Sequence, residues 1–167
     1  MDEQPLIDVP RFRQVMSHLA TGVTVVTTAQ RGELHGLTVN AFCSVSLQPL
    51  LVLISIDELS RSCQLIAESG IFAVNVLGWQ QQFLADRFSG RAPLVDTAFG
   101  GVPYFIAQTG APVLKRSVGW LDCRVTERFV AGDHMLFLGV PIAGDVDETA
   151  EPLLFYQSRF SRLGRPE

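Results

Sequence analysis

At 167 residues the chain has the length of one domain that can bury a core without metal or disulfide staples. Charged residues make up 18% of it against 47% apolar, with a net charge of −4, which excludes the basic stripe that nucleic acid requires. The mean hydropathy of +0.25 points to apolar surface that a second copy of the chain would cover. Cys43, Cys63 and Cys123 lie far apart with no C-x-x-C pair, so neither a disulfide framework nor a zinc site fits. The acidic N-terminus MDEQPLIDVP has no apolar h-region. No apolar run approaches the ~20 residues that cross a bilayer, so no membrane is expected and the cytoplasm is the expected location.

In chain order, DVPRFRQVMSHLA (8–20) places Phe12, Val15, Met16 and Leu19 at helical spacing, with Pro10 near the first turn. GVTVVTTAQ reads as a β-branched strand, and RGELHG as a turn that leads it into a hairpin with the next segment. In that segment, GLTVNAFCSVSLQ (36–48), Leu37, Val39, Ala41, Cys43, Val45 and Leu47 alternate with Thr38, Asn40, Phe42, Ser44, Ser46 and Gln48. The period of two predicts a strand with one buried face. The run is longer than an ordinary strand, so it must coil strongly or carry a bulge. Pro49 ends it, and LLVLISI (50–56) is expected as a strand buried on both faces.

RSCQLIAES predicts a short helix entered through Ser60 and stopped at Gly70. IFAVNVL (71–77) predicts a strand, and WQQQFLADRFS (79–89) a helix with Trp79, Phe83, Leu84 and Phe88 on one face. Residues 90–116, rich in Gly and Pro, read as a long irregular excursion, of the kind more often functional than idle. VGWLDCRVTERFV and MLFLGVPIAGDV, joined by AGDH, predict a second hairpin. Its first strand carries Asp122, Arg124, Thr126 and Arg128 on a charged face expected in solvent. PLLFYQSRF reads as a last short strand. With no repeat or linker, 1–167 reads as a single domain, mainly β. Hairpins in place of βαβ units predict a closed or partly closed antiparallel barrel with flanking helices.

The face of Thr38, Asn40, Ser44 and Ser46 differs in kind from the charged one. Its groups donate and accept without net charge, which suits a polar planar ligand or a subunit interface. An ordinary Thr/Ser-rich strand would carry the same pattern.

HGLTVNAFCSVSLQPLLVLISID, then SRSCQLIAESGIFAVNVL, LADRFS and GDH occur in that order over about residues 12–160. Together they resemble the flavin reductase-like family with the FMN-binding split-barrel fold, the reductase components of two-component flavin-dependent monooxygenases. The resemblance implies a homodimer of six-stranded antiparallel Greek-key split barrels with flanking helices. It further implies NAD(P)H:flavin oxidoreductase activity. FMN or FAD would bind near the dimer interface, NADH or NADPH would donate electrons, and a separate monooxygenase would take the reduced flavin.

For the site, the resemblance implies that Thr38, Val39, Asn40, Ala41 and Phe42 run along the isoalloxazine ring, with Ser44 and Ser55 also in the flavin site. Ser60, Arg61 and Ser62 would hold the flavin phosphate, with Arg87 as a two-pronged clamp and Phe88 beside it. His134 would lie by the nicotinamide, and Tyr156 and Arg159 would touch that cofactor from the closing aromatic segment. Taken alone, Ser60 is equally a helix cap, Arg87 a surface arginine, and Gly132-Asp133 turn chemistry. A turn does not need the histidine. The family often has glycine where this chain has Gln157-Ser158, a departure that bears on the pose of the nicotinamide. His18 and His35 have no ligand-like neighbours in sequence.

No G-x-G-x-x-G, P-loop, H-E-x-x-H or nucleophile elbow occurs. Two other readings stay open: a flavoprotein that keeps its flavin as oxidase, oxygenase or sensor, and a non-catalytic barrel that binds a small molecule.

Overall fold

The structure, a computed structural model, describes residues 7–90 and 99–164. Asp8 caps helix α1 (Val9–Ser17) by accepting the Arg11 N–H, and Pro10 sits in the first turn, where no intrahelical donor is needed. None of the α1 residues is buried, so Phe12, Val15 and Met16 form an exposed apolar stripe.

Strands β1 (Thr21–Gly22), β2 (Thr24–Gln30), β3 (Glu33–Val39), β4 (Phe42–Leu47) and β5 (Leu50–Asp57) follow. After them come α2 (Arg61–Ser69), β6 (Ile71–Val76), a 3-10 turn (Trp79–Gln81) and α3 (Gln82–Phe88). The chain continues through β7 (Tyr104–Ile106), β8 (Pro112–Leu114), β9 (Gly119–Ala131), β10 (His134–Val146), β11 (Leu154–Tyr156) and β12 (Arg159–Ser161). Both expected hairpins form, β2 with β3 and β9 with β10, and Gly132 supplies the positive φ, 64°, of the second turn.

Seven strands make one antiparallel sheet in the order β3-β2-β6-β9-β10-β5-β4. β3 and β4 are its opposite edges, yet only Asn40 and Ala41 separate them in the chain. Three peptide steps span at most about 11 Å, so the sheet must roll until those edges approach. The expected single strand over 36–48 is therefore two strands, β3 and β4, of a seven-stranded sheet. The cause is local. The Phe42 N–H returns to the Asn40 carbonyl and the Ser55 N–H donates to the Ala41 carbonyl, both at 3.0 Å. Within two residues the chain leaves β2 and joins β5, and a register shift at Ser44/Ser46 adds to the bend.

Val26, Val52, Ile54, Phe72, Cys123 and Phe137 fill the interior, with Cys63 and Ile66 from α2. A β-carbon on Gly139 would lie 2.5 Å from the Phe72 ring, so glycine is what leaves that ring its place. Burial, and secondarily the charge of Asp122, pushes the Cys123 thiol up to about 12. Such a thiol packs and does not react.

The outer face of the sheet is treated unequally. Over β2, β3 and β6, α3 and the β7–β8 hairpin pack down: Val25 meets Leu84, Ala85 and Phe88, and Ala73 meets Ala111 and Val113. That hairpin lies within 90–116, which is thus not irregular throughout; residues 91–98 lie outside the described residues. Asp122 is a correction to the charged face. It is fully buried and accepts the Thr109 N–H and hydroxyl, anchoring the excursion, whereas Arg124, Thr126 and Arg128 are exposed as expected. Asn75 anchors it too, donating to the Val25 carbonyl and accepting the Leu114 N–H.

β5 shows the other treatment. Val52, Ile54 and Ile56 are buried, but Leu51, Leu53 and Ser55 on its outer face are half-exposed, so a single chain does not bury both faces as expected. Of the four residues read on one helical face, Leu84 and Phe88 are buried, whereas Phe83 is 59% exposed. A small second sheet, β1-β11-β12, holds the C-terminal segment, which is a hairpin turning at Gln157-Ser158 and not one strand.

Candidate active site

At the point where β3 and β4 diverge, three strands come side by side. The Ala41 carbonyl takes the Ser55 N–H, Ser55 pairs with Leu136, and two residues along Asp57 pairs with His134. Ser60 donates its hydroxyl to the Asp57 carbonyl at 2.7 Å, so α2 opens directly beyond this rung. Asn40, Ala41 and Ser44 are exposed, and Phe42, Ser55 and His134 half-exposed. The structure thus gathers Asn40, Ala41, Phe42, Ser44, Ser55, Ser60 and His134 at one end of the rolled sheet.

His134 is oriented by its neighbour. Its Nδ1 lies 2.7 Å from Asp133 Oδ1, and this hydrogen bond is the main reason the Asp133 carboxyl is held below its ordinary value. The carboxylate can only accept, so Nδ1 donates to it, and in the neutral form of the ring Nε2 is the acceptor.

Other expected residues are placed differently. The Thr38 hydroxyl donates to the Ala85 carbonyl at 2.7 Å and staples α3 to β3. Its partner across the ladder is Val25, on the covered outer face, while Phe42 pairs with Ile54 of the interior. The uncharged row is therefore not one continuous ribbon. Val39 is buried in the core. Phe88 is 3% exposed, and a β-carbon on Gly36 would come 2.6 Å from its ring. Its side chain fills the joint between α3 and β3. The Ser62 hydroxyl, also buried, lies 2.8 Å from His35 Nδ1.

Around the α2 N-terminus most side chains already have work. Ser60 accepts the Cys63 N–H as N-cap. Asp57 folds its carboxylate back onto the Leu59 N–H at 2.8 Å. Arg61 reaches Glu33 at 2.8 Å and Gln64 at 2.8 Å, and that contact lowers the Glu33 carboxyl. Arg87 donates from Nη2 to the Gly100 carbonyl. Tyr156 and Arg159 face each other across the β11–β12 turn, in the second sheet, and share no rung with His134.

Two partners escaped the sequence reading. Asp133 stood beside His134 in plain view but was absorbed into turn chemistry. His35 had no signal, since its partner Ser62 arrives from another element. Burial pushes the His35 imidazole down, opposed by Glu33 and reinforced by Arg61. Two surface clefts lie elsewhere, one of about 670 Å³ beside Trp79, Phe83, Arg116 and Arg162, the other of about 390 Å³ beside Phe105 and Trp120. No residue expected to hold flavin or nicotinamide lines either cleft.

The sequence model of the flavin reductase like domain matches residues 16–164. This chain belongs to that family. One relative, the reductase subunit HsaB of a flavin-dependent monooxygenase from Rhodococcus jostii, is 37% identical over 94% of this chain and 79% of its own. Among solved structures, the flavin reductase PheA2 in its native state has a TM-score of 0.88 at 39% identity, covering 95% of this chain and all 100% of its own. The NADH:FAD oxidoreductase SgcE6 of Streptomyces globisporus C-1027, in complex with NAD and FAD fragments, has a TM-score of 0.88 at 34% identity, covering 97% and 98%. Similarity to the family therefore runs through nearly the whole chain, the diverging strands included.

Proposed function

We propose that this chain is an NADH-dependent flavin reductase that works at the divergence of β3 and β4 and supplies reduced FMN or FAD to a separate monooxygenase. The observation that carries the reading is the alignment of Ala41, Ser55 and His134 on neighbouring strands at that divergence, in a chain of this family. Bound flavin and nicotinamide would supply the redox chemistry, a hydride transfer from one ring to the other. Such a transfer needs stacking and no protein acid or base, so the chain's part is to bind and orient.

The residues present fit that part. Exposed main chain at Asn40–Ala41 and the side chains of Asn40 and Ser55 offer uncharged donors and acceptors to the polar edge of a flat ring, while Ser44, paired with Val52, lies on the other face of the sheet from Ser55. Donors at that edge favour the charge that develops on reduction. For the phosphate, the Ser60 and Ser62 hydroxyls already have partners, as do Arg61 with Glu33 and Gln64 and Arg87 with the Gly100 carbonyl; the backbone N–H groups at the start of α2 would receive it, with the two guanidiniums turning to it from those contacts. His134 Nε2 accepts from the nicotinamide carboxamide, and Tyr156 and Arg159 border the nicotinamide nucleotide.

The working unit is a homodimer of Greek-key split barrels, six-stranded when the bent β3–β4 segment counts as one. Leu53 pairs with Leu138, and Phe129 with Leu136, on an outer face left partly open among the described residues. Those half-exposed leucines support a partner of the same kind. Among the described residues no helix is long and apolar enough to cross a membrane; the cytoplasm is the place this reading assigns.

The test is direct: mix the purified protein with NADH and free FMN or FAD and follow the nicotinamide absorbance. Flavin-dependent loss is expected. No loss with either flavin overturns the reading, and a yellow cofactor retained without turnover would favour a flavoprotein that keeps its flavin.

A further inference from the structure

Gln157 is tied to the end of α1 by two hydrogen bonds. Its N–H donates to the Ser17 carbonyl at 2.8 Å, and its Nε2 stands 2.9 Å from His18 Nε2. The other ring nitrogen of His18 stands 2.9 Å from the Gln14 carbonyl, which can only accept. Nδ1 therefore carries the proton, and Nε2 accepts from the Gln157 amide. The ring meets Tyr156 edge-on, centroids 6.1 Å apart at 84°. His18, without a ligand-like neighbour in sequence, thus touches both ends of a contact between the two extremes of the chain.

The turn held this way is strained. Gln157 and Ser158 have φ of 47° and 60°, the left-handed region that a β-carbon opposes. Two-residue hairpin loops of this kind favour Asn-Gly or Gly-Gly. Glycine at 157 would relieve the strain and lose the amide. On the adjoining rung, the Thr21 hydroxyl is buried with no hydrogen-bond partner among the described residues.

We propose that Gln157 is a positioning residue: latched to α1 through Ser17 and His18, it fixes the β11–β12 turn and so sets Tyr156 and Arg159 for the nicotinamide nucleotide. The proposal rests on the reading that those two residues border that nucleotide. Without the latch the hairpin must be ordered by the incoming ligand, which weakens binding and leaves the bound complex as reactive as before.

Gln157→Gly keeps the turn accessible and removes the amide. Its KM for NADH is expected to rise about fivefold, the order of one hydrogen bond, with kcat and flavin affinity unchanged. His18→Ala gives the same rise, and the double variant no further rise. His18→Gln, whose Oε1 can accept the same bond, restores the original KM. An unchanged KM in Gln157→Gly while Arg159→Ala raises it overturns the latch. An unchanged KM in Arg159→Ala as well overturns the placement of the nicotinamide side on which the latch rests.

Discussion

β5 and β6 are both mainly apolar and have opposite fates. IFAVNV in β6 is sealed on both faces, inside by the core and outside by Ala111 and Val113 of the β7–β8 excursion. LLVLISID in β5 is sealed on one, and Leu51 and Leu53 stand half-exposed beside Leu136 and Leu138 of β10. Apolar residues on both faces say that a strand is to be covered twice; they do not say by what. The polar residues follow the same division. On the covered half Asn75, Asp122 and Thr38 spend their hydrogen bonds internally, holding the cover in place. On the bare half Asn40 and Ser44 remain exposed and Ser55 half so, next to His134. One half is scaffold, and the other is where binding and dimerisation are proposed.

An acidic residue on each half gives the sharpest contrast. Ala73→Asp puts a charge beneath the β7–β8 hairpin, where no water reaches, and should abolish folding. Leu138→Asp should leave a folded, monomeric protein with little NADH oxidation. Circular dichroism and sedimentation separate the two outcomes, and a dimeric, active Leu138→Asp would remove the bare half as an interface. Next in size, Asp122→Ala leaves Thr109 without its acceptor and should cost about 3 kcal/mol in denaturant unfolding, with turnover kept in what remains folded. His134→Ala should lower kcat/KM for NADH about tenfold, roughly 1.4 kcal/mol, without changing flavin affinity. Full turnover in that variant would take the imidazole out of the site.

The smallest expected effect is a slope with pH. Burial holds the His35 imidazole below its ordinary value of about 6.5. The folded state therefore prefers the neutral ring, and the stability this contributes is present above that value. It is lost as pH falls from there toward the lowered folded value, because the unfolded chain takes the proton first. Unfolding free energies of the wild type and His35→Gln should converge through that window. Parallel curves would contradict it.

Periodicity and turn chemistry made the two hairpins and α2 legible, since Gly70, Gly132 and the β-branched runs act locally. The break at Asn40-Ala41 was not, because a lone Asn inside an unbroken alternation does not mark a turn; the division arises when one segment pairs first with β2 and then with β5. Asp122 was misread for a related reason, its solvent being displaced by a distant part of the chain. The β7–β8 hairpin lay hidden in a Gly/Pro-rich stretch. Among candidate site residues, the sequence singled out the stretch at Asn40 and the histidine of the second turn, and both are at least partly exposed beside β5. The occupation of Thr38, Ser62 and Phe88 by the scaffold was not legible, since each partner sits on another element.

Hydrogen–deuterium exchange with and without FMN measures most directly which half receives the ligand. Added protection over 40–44, 55–62 and 134–138, with 104–114 unchanged, is expected. Protection confined to 104–116 and the clefts beside Arg116, with 40–44 unaffected, would contradict the placement of the site at the diverging strands.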